Sequence, residues 1–181
     1  MPQHVPPVSS VRLTRMRAGI ALGANLEHRL QNLTIARQRI FALPDVLPPL
    51  LSSALYETDP VECEPGAKAF LNAVIEVGFA GTPQQLLEEL RKIETDLGRP
   101  STRVRNDSRP IDLDLLYHGA RLIDDTQLQL PHPRMHLRAF VLHPLAEIRP
   151  DLVLPGQNLT VGELSAGLAP GPAVVRSSRQ W

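Results

Sequence analysis

Two aspartates stand two residues apart in the otherwise apolar segment 111–117. If this segment is a β-strand, Asp112 and Asp114 share one face, because alternate side chains of a strand point the same way. The residues that alternate with them face the core: Ile111, Leu113, Leu115 and Tyr117. Two carboxylates this close repel each other unless a cation lies between them, and Mg²⁺ prefers one or two carboxylates with water and phosphate oxygens. The pair therefore predicts a magnesium site; the alternative is two solvated aspartates on an exposed sheet face.

An arginine-rich loop leads into the same strand. It carries one acidic residue, Asp107, against four arginines: Arg99, Arg103, Arg105 and Arg109. Mg²⁺ and arginine recur as stabilisers of phosphoryl transfer, so the loop and the carboxylate pair together indicate a site for a metal-bound polyphosphate. The sequence contains no Gly-x-x-x-x-Gly-Lys-Ser/Thr segment, which excludes a P-loop nucleotide site. Since the loop has no apolar stripe, we expect it to become ordered only when metal and nucleotide bind.

Asn72 and His132 are weaker candidates. Asn72 lies between Phe70 and Val74 on one face of a predicted strand, where its amide could pair with the edge of a heterocycle; alternatively, it faces water or caps a turn. His132 is held between two prolines, which restrict its backbone. The histidines show no zinc-ligand spacing. The single cysteine, Cys63, excludes an internal disulfide and a multi-cysteine metal site.

The periodicity of apolar residues predicts the helices that position these groups. Apolar residues recur every three or four positions over 25–43 and 82–97. We expect Asn25 to cap the first helix. The second begins with a capping box at Thr82 and has Gly98 at its end.

Alternation and turn residues predict the strands. The expected strands are Ile20–Leu22, 50–58, 69–77 and 110–117, and a turn at His118-Gly119 leads into a partner strand at 120–123. The segment 135–148 is predicted to be a helix interrupted near Pro144. The order strand-helix-strand-strand-helix-strand indicates a ferredoxin-like α+β fold, an antiparallel sheet with helices on one face, followed by a C-terminal extension.

Length and composition limit the classes of function. The 181 residues divide into an expected disordered extension (1–17), one domain (18–163) and a flexible tail (164–181). The 19 Lys and Arg balance 19 Asp and Glu, and only 4% of residues are aromatic. Both facts argue against a nucleic-acid or membrane-surface binder. Since no run approaches about 18 apolar residues, we expect a cytoplasmic protein.

Several segments, taken in order, resemble the 6-hydroxymethyl-7,8-dihydropterin pyrophosphokinase family. The resemblance covers about 18–163, with its matches at 20–26, 52–58, 70–73, 93–99, 109–114 (Arg-Pro-Ile-Asp-Leu-Asp), 130–133 (Leu-Pro-His-Pro) and 138–142. It implies a ferredoxin-like fold and a step of folate biosynthesis. In that step the terminal diphosphate of ATP moves to the hydroxymethyl oxygen of the dihydropterin and AMP is released. It further implies two Mg²⁺ ions, and we expect a monomer.

The resemblance also implies individual roles. Asp112 and Asp114 would bind both metal ions, and Arg99 and Arg109 would hold phosphates and act in catalysis. The implied pterin-binding residues are Thr58, Pro60, Val61, Phe70, Asn72 and Phe140. The implied nucleotide-binding residues are Glu94, Arg99, Arg109, His132 and Arg138.

The chain departs from the family pattern at three places. Asn106-Asp107-Ser108 replaces the usual Trp-Gly-Pro, Ala24 replaces a serine, and Arg91 replaces a glutamine. These changes concern the closed loop and some ATP contacts, and they leave the metal pair intact. Two alternatives stay open at this stage. One is a non-catalytic ferredoxin-like module that binds RNA, and the other is a different Mg²⁺-dependent phosphotransferase on the same scaffold.

Overall fold

The computed structural model describes residues 15–59, 68–99 and 108–181. Several sequence predictions lie outside the described residues. They concern Pro60, Val61, Cys63, the interior of the arginine-rich loop with Arg103 and Arg105, and most of the N-terminal extension.

The fold is built on an antiparallel sheet of six strands. The strands of the chain are β1 (Met16–Ala24), β2 (Val46–Ser52), β3 (Tyr56–Thr58), β4 (Phe70–Phe79), β5 (Asp112–His118), β6 (Ile123–Asp124), β7 (Gln129–Leu130) and β8 (Val174–Arg176). The order in the main sheet is β5-β1-β4-β3-β8, and β2 also pairs with β4. Strands β6 and β7 form a separate pair. The helices are α1 (Arg29–Phe41), α2 (Pro83–Asp96), α3 (Ala139–Ile148) and α4 (Val161–Ala166), and a 3-10 turn spans Met135–Leu137.

Helices α1 and α2 cover one face of the sheet and form the main core with it. Their apolar stripes, which include Leu33 and Leu90, pack against the β1 side chains Ile20 and Leu22. The start of α2 confirms the predicted capping box at Thr82. The predicted cap of α1 is wrong: the helix begins after His28, because the Asn25 side chain is hydrogen-bonded to the end of the arginine-rich loop instead.

A second core on the opposite face corrects the expectation of helices on one face only. There Val74 and Leu116 of the sheet pack against Val141 and Leu145 of α3 and Val161 of α4. Strand β4 is almost completely buried along its length, so both its faces carry apolar side chains that need covering. The sheet is therefore a middle layer between two pairs of helices.

A bulge in β5 changes which face Tyr117 occupies. Leu115 pairs with Ile20, but Tyr117 pairs with Gly19, so one extra residue lies between the two pairs. Leu113 and Leu115 therefore face the main core as predicted, whereas Tyr117 turns to the second core. There its hydroxyl donates to Glu76 at 2.5 Å. The prediction that Tyr117 faces the main core is wrong for this reason.

Three further boundaries differ from the sequence predictions. The strand expected at 50–58 is divided into β2 and β3, which pair with different parts of β4. Gly119 does form the expected turn, with φ 58°, but the following segment pairs with β7 rather than with β5. In the segment 135–148, the break falls at Arg138, whose backbone is extended, and Pro144 is buried inside α3.

The start of β1 and the C-terminal segment 164–181 both belong to the fold. Strand β1 begins at Met16, two residues before the predicted domain boundary, because Met16 and Arg17 pair with the end of β4; the Arg17 side chain also forms an ion pair with the buried Glu76. The tail predicted to be flexible from 164 instead completes α4, adds β8 to the sheet edge and packs Trp181 against the main core. The Gly, Pro and Ser content of this segment predicts flexibility, whereas the end of α4, strand β8 and Trp181 each attach it to the domain. Within the described ranges, no helix combines the length and apolar character needed to cross a membrane.

Glu76 offers a test of the second core. Its carboxylate is fully buried and accepts from Tyr117, Arg17 and Arg149. We expect Glu76→Ala to lower the free energy of unfolding by about 2–3 kcal/mol, because it leaves the buried Tyr117 hydroxyl without an acceptor and the partly exposed Arg17 and Arg149 without their charge partner. Asp96→Ala, which breaks only an exposed ion pair with Arg39, should change it by less than about 0.5 kcal/mol. Equal stability of the two variants in urea denaturation would contradict a structural role for this buried carboxylate.

Candidate active site

The site lies across the first residues of β5, the end of β1 and the first residues of β4. Gly23 of β1 is the central residue, since it pairs with Asn72 on one side and with Asp112 on the other. Directly opposite residues of antiparallel strands share a face, so Asn72 and Asp112 point the same way, separated by a residue without a side chain. A Cβ atom at Gly23 would lie 3.0 Å from the Asn72 amide oxygen. Glycine therefore leaves the space between them open.

Asp112 is held by two arginines from the loop ends. Its carboxylate contacts Nη1 of Arg99 at 2.5 Å and Nη2 of Arg109 at 2.9 Å. The Asp112 side chain is 20% exposed and that of Arg99 only 11%, so these charge-assisted contacts are partly shielded from water. Three of the predicted catalytic residues, Arg99, Arg109 and Asp112, are therefore in direct contact.

Asp114 lies one step further along β5 and has a weaker cationic partner. Among the described residues, it forms an ion pair with Arg138, at 3.7 Å. Desolvation and the negative charge of Asp112 raise the pKa of Asp114 above its ordinary value. Burial also lowers the pKa of His132, which favours a neutral ring, while the charge of Asp114 acts in the opposite direction. The two carboxylates are therefore unequal: Asp112 is neutralised by arginines, and Asp114 is left with an unfavourable charge.

Glu94 of α2 holds two parts of the site in place, the Arg99 side chain and the backbone of β5. It is almost completely buried at the end of α2, where it forms an ion pair with Arg99 and accepts from the backbone N–H of Leu113 at 2.8 Å. The capping box and apolar stripe of α2 fix the direction of this last turn. Glu94 therefore connects the helix, the Arg99 guanidinium and the strand that carries both aspartates.

Asn25 anchors the far end of the arginine-rich loop, and sequence reasoning missed this role. The side chain is fully buried. Its oxygen accepts from the backbone N–H of Arg109 at 2.8 Å, and its nitrogen donates to the Ser108 hydroxyl at 3.0 Å. The carbonyl of Arg109 in turn accepts from the backbone N–H groups of Asn25 and Leu26. The signal was available in the sequence as a polar residue directly after a buried strand, but helix capping explained it equally well.

Two aromatic rings flank the charged groups. The guanidinium carbon of Arg109 lies 5.8 Å from the centre of the Phe70 ring, and that of Arg138 lies 5.4 Å from the centre of the Phe140 ring. Each predicted stacking residue is therefore linked through an arginine to one of the aspartates. Thr58 also belongs to this region, because its hydroxyl accepts from the amide of Asn72 at 2.9 Å.

The carboxylate pair suits a hard cation bound together with a substrate. In the described part of the chain, no group of three or more Asp, Glu, His or Cys could hold a metal ion. Asp112 and Asp114 alone would supply two oxygen ligand groups, which matches the habit of Mg²⁺ to complete its shell with water and phosphates. A divalent cation would also relieve the repulsion that raises the pKa of Asp114.

Comparison with protein families identifies the family of this chain. Residues 19–150 match the family described as 7,8-dihydro-6-hydroxymethylpterin-pyrophosphokinase (HPPK). The chain belongs to the HPPK family. The match includes every residue that the sequence analysis placed in the site.

Two relatives and one solved structure give the extent of the similarity. The chain is 43% identical over 133 residues to the 2-amino-4-hydroxy-6-hydroxymethyldihydropteridine pyrophosphokinase of Bacillus subtilis, covering 72% of this chain and 77% of that protein. It is 38% identical over 142 residues to a folic acid synthesis protein of Pneumocystis carinii, covering 78% of this chain but only 19% of that protein. The fold resembles the wild-type HPPK-DHPS structure of Plasmodium falciparum with a TM-score of 0.63 at 14% identity, covering 84% of this chain and 44% of that one.

The departures from the HPPK pattern fall in different surroundings. Ala24 is buried in the main core, so its methyl group packs away from the face that carries Asp112. Arg91 is exposed on α2. Of the three residues that replace Trp-Gly-Pro, only Ser108 is described, and it is a partner of Asn25. Two of the three substitutions therefore leave the described charged cluster untouched.

The unequal aspartates give opposite stability predictions in the absence of metal. A raised pKa means that ionised Asp114 opposes folding at neutral pH. We therefore expect Asp114→Asn to raise the melting temperature at pH 7, and this gain over the parent should vanish as the pH falls and the parent Asp114 becomes protonated. Asp112→Asn should lower the unfolding free energy by about 1–3 kcal/mol, since its arginine contacts are charge-assisted. Thermal melts of both variants from pH 3 to pH 8 would contradict this account if the two shifts had the same sign at pH 7.

Proposed function

We propose that this chain transfers diphosphate from ATP to the hydroxymethyl group of 6-hydroxymethyl-7,8-dihydropterin in folate biosynthesis. The products are AMP and the pterin diphosphate. The observation that carries the proposal is the row across three strands, in which a pterin-type recognition group, Asn72, and a metal-type carboxylate, Asp112, face the same space across Gly23. Family membership agrees with this chemistry. We also propose that the sheet is ferredoxin-like. Along the chain the strands come in the order β1, β2/β3, β4 and β5, and in the sheet they lie in the order β5-β1-β4-β2/β3, as in a ferredoxin-like fold.

Asp112 and Asp114 would hold Mg²⁺, with two ions as the proposed number. Bound Mg²⁺ would neutralise the phosphate charge of ATP. Asp112 forms ion pairs with Arg99 and Arg109, and each guanidinium group has further N–H donors that would bind the phosphates beside it. The Nε of Arg109 is buried and has no hydrogen-bond partner among the described residues, which leaves a donor for a phosphate oxygen.

The remaining residues bind and orient the two substrates. We assign the phosphates to Arg99, Arg109 and Arg138, with His132 and Glu94 at the nucleotide end. The pterin is assigned to Thr58, Phe70, Asn72 and Phe140, and, from the family resemblance alone, to Pro60 and Val61, which lie outside the described residues. Glu94 acts on the nucleotide through Arg99, because its carboxylate is already engaged inside the fold. Correct orientation of two substrates supplies a large part of such a rate enhancement.

The RNA-binding alternative is disfavoured by the three carboxylates beside these arginines, since acidic groups repel a phosphate backbone unless metal is present. A monomeric state, a cytoplasmic location and the absence of a nucleic-acid partner stay predictions from the sequence.

The direct test is a product analysis with ATP, Mg²⁺ and the hydroxymethyl-dihydropterin. We expect AMP to form in step with pterin diphosphate, and Asp112→Asn and Asp114→Asn each to abolish it, because each removes a proposed metal ligand. ADP as the product would indicate a phosphotransferase of another kind, and no turnover with a folded chain would reject the proposal.

Asn25 provides a sharper test of how Arg109 is positioned. We expect Asn25→Ala to lower kcat about tenfold, as a loss of about 1.4 kcal/mol would, with little change in KM for either substrate. In an Arg109→Ala background the same substitution should change kcat by less than about twofold, because the two residues act as one unit. Equal effects in both backgrounds would show that Asn25 acts on the fold rather than through Arg109.

A further inference from the structure

The segment 174–181, named here the C-terminal strap, lies beyond the stretch that matches the HPPK family. Its first residues form β8, which pairs with all three residues of β3: Val174 lies opposite Thr58, and Arg176 lies opposite Tyr56. The backbone N–H of Ser177 continues this pairing by donating to the Leu55 carbonyl at 2.8 Å. The strap thus completes the outer edge of the strand that carries Thr58.

The strap is also anchored on both faces of the sheet. On one face, the indole N–H of Trp181 donates to the Ser53 carbonyl at 2.7 Å, and the Arg37 guanidinium carbon of α1 lies 4.3 Å from the centre of the Trp181 ring. On the other face, Arg176 pairs with Glu147 of α3 at 3.0 Å. The strap therefore joins α1, the β3 edge and α3.

Glu147 connects these contacts to the elements that carry the proposed pterin-binding residues. Its second carboxylate oxygen accepts from the Ala54 backbone N–H at 2.9 Å and from the Tyr56 hydroxyl at 3.1 Å. Thr58, the partner of Asn72, lies on β3, and Phe140 lies on α3, the helix that carries Glu147. The strap therefore contacts both elements, β3 and α3.

We propose that the C-terminal strap is a positioning element for the pterin, which sets the relative position of β3 and α3 and thereby of Thr58 and Phe140. This proposal rests on the proposed function. A three-residue strand gains little order from its pairing with β4 alone, so its second neighbour determines how firmly Thr58 is held. The hydrogen bonds, the ion pair and the ring contact of the strap described above connect α1, β3 and α3, of which β3 carries Thr58 and α3 carries Phe140. The phosphate-binding residues Arg99 and Arg109 and the metal ligand Asp112 are instead positioned by α2, by Asn25 and by β5.

The test is a comparison of the two KM values in the full chain. We expect Trp181→Ala to raise KM for the pterin about two- to tenfold, as the loss of one or two net hydrogen bonds would, and to leave kcat and KM for ATP within about twofold. Trp181→Phe keeps a ring for Arg37 but lacks the indole donor, so its effect should be intermediate. Ser177→Ala, which removes a hydroxyl bonded to Glu57, is a milder second variant that should shift the same KM in the same direction.

Leu128→Ala is the matched control, since it removes buried apolar volume between β6 and β7, which belong to neither the strap nor its partners α1, β3 and α3. It should lower the melting temperature comparably and leave KM for the pterin unchanged. The strap proposal fails if Trp181→Ala leaves KM for the pterin unchanged, if both KM values rise together, or if Leu128→Ala shifts KM for the pterin as strongly. AMP formation by the unaltered chain decides the proposed function separately, because it does not depend on the ratio between variants.

Discussion

The pairing of β5 with β1 determines where the charged groups of this protein meet. Strand alternation places Asp112 and Asp114 on one face, and the register with β1 places Asp112 beside Gly23, with Asn72 on the other side. A one-residue slip would turn every side chain of β5 to the opposite face and bury both carboxylates in the main core. The apolar residues Leu113 and Leu115 prevent this slip, because their burial requires the present register. Core packing and site geometry are thus fixed by the same pairing.

The ion pairs formed at this site by the described residues balance in charge. Three carboxylates, Asp112, Asp114 and Glu94, form ion pairs with three arginines, Arg99, Arg109 and Arg138. Balance makes the cluster compatible with folding, because a partly buried surplus of either sign would be costly. It also means that a free metal ion and a free polyphosphate each disturb the balance, whereas a metal-polyphosphate complex supplies both signs at once. The arrangement therefore favours joint binding of Mg²⁺ and nucleotide.

The sequence predicted the parts of this arrangement that local pattern controls. The capping box and apolar stripe of α2, the alternation in β4 and the shared face of Asp112 and Asp114 are all properties of neighbouring residues, and the structure has them. The bulge that turns Tyr117 away from the main core was not predictable in this way, since it depends on the partner strand. The role of Asn25 depends on a loop end more than eighty residues away.

The C-terminal segment shows the same limit. Its Gly, Pro and Ser residues are typical of a flexible tail, and the three residues of β8 are too few to reveal a strand by alternation. Its order comes from contacts with β3, α1 and α3 that no local pattern encodes. The family resemblance predicted more than local pattern could, because it grouped polar residues that are distant in the sequence, such as Arg99 and Asp112, into one site.

The most direct test of the balanced cluster is a thermal shift titration of the unaltered chain. Melting temperature would be recorded with Mg²⁺ alone, with a non-hydrolysable ATP analogue alone, and with both. The account predicts that Mg²⁺ alone raises the melting temperature only modestly, because Asp114 gains a cation whereas Asp112 is already paired with Arg99 and Arg109. The two ligands together should raise it by more than the sum of their separate effects. A full stabilisation by Mg²⁺ without nucleotide, or by nucleotide without Mg²⁺, would contradict it.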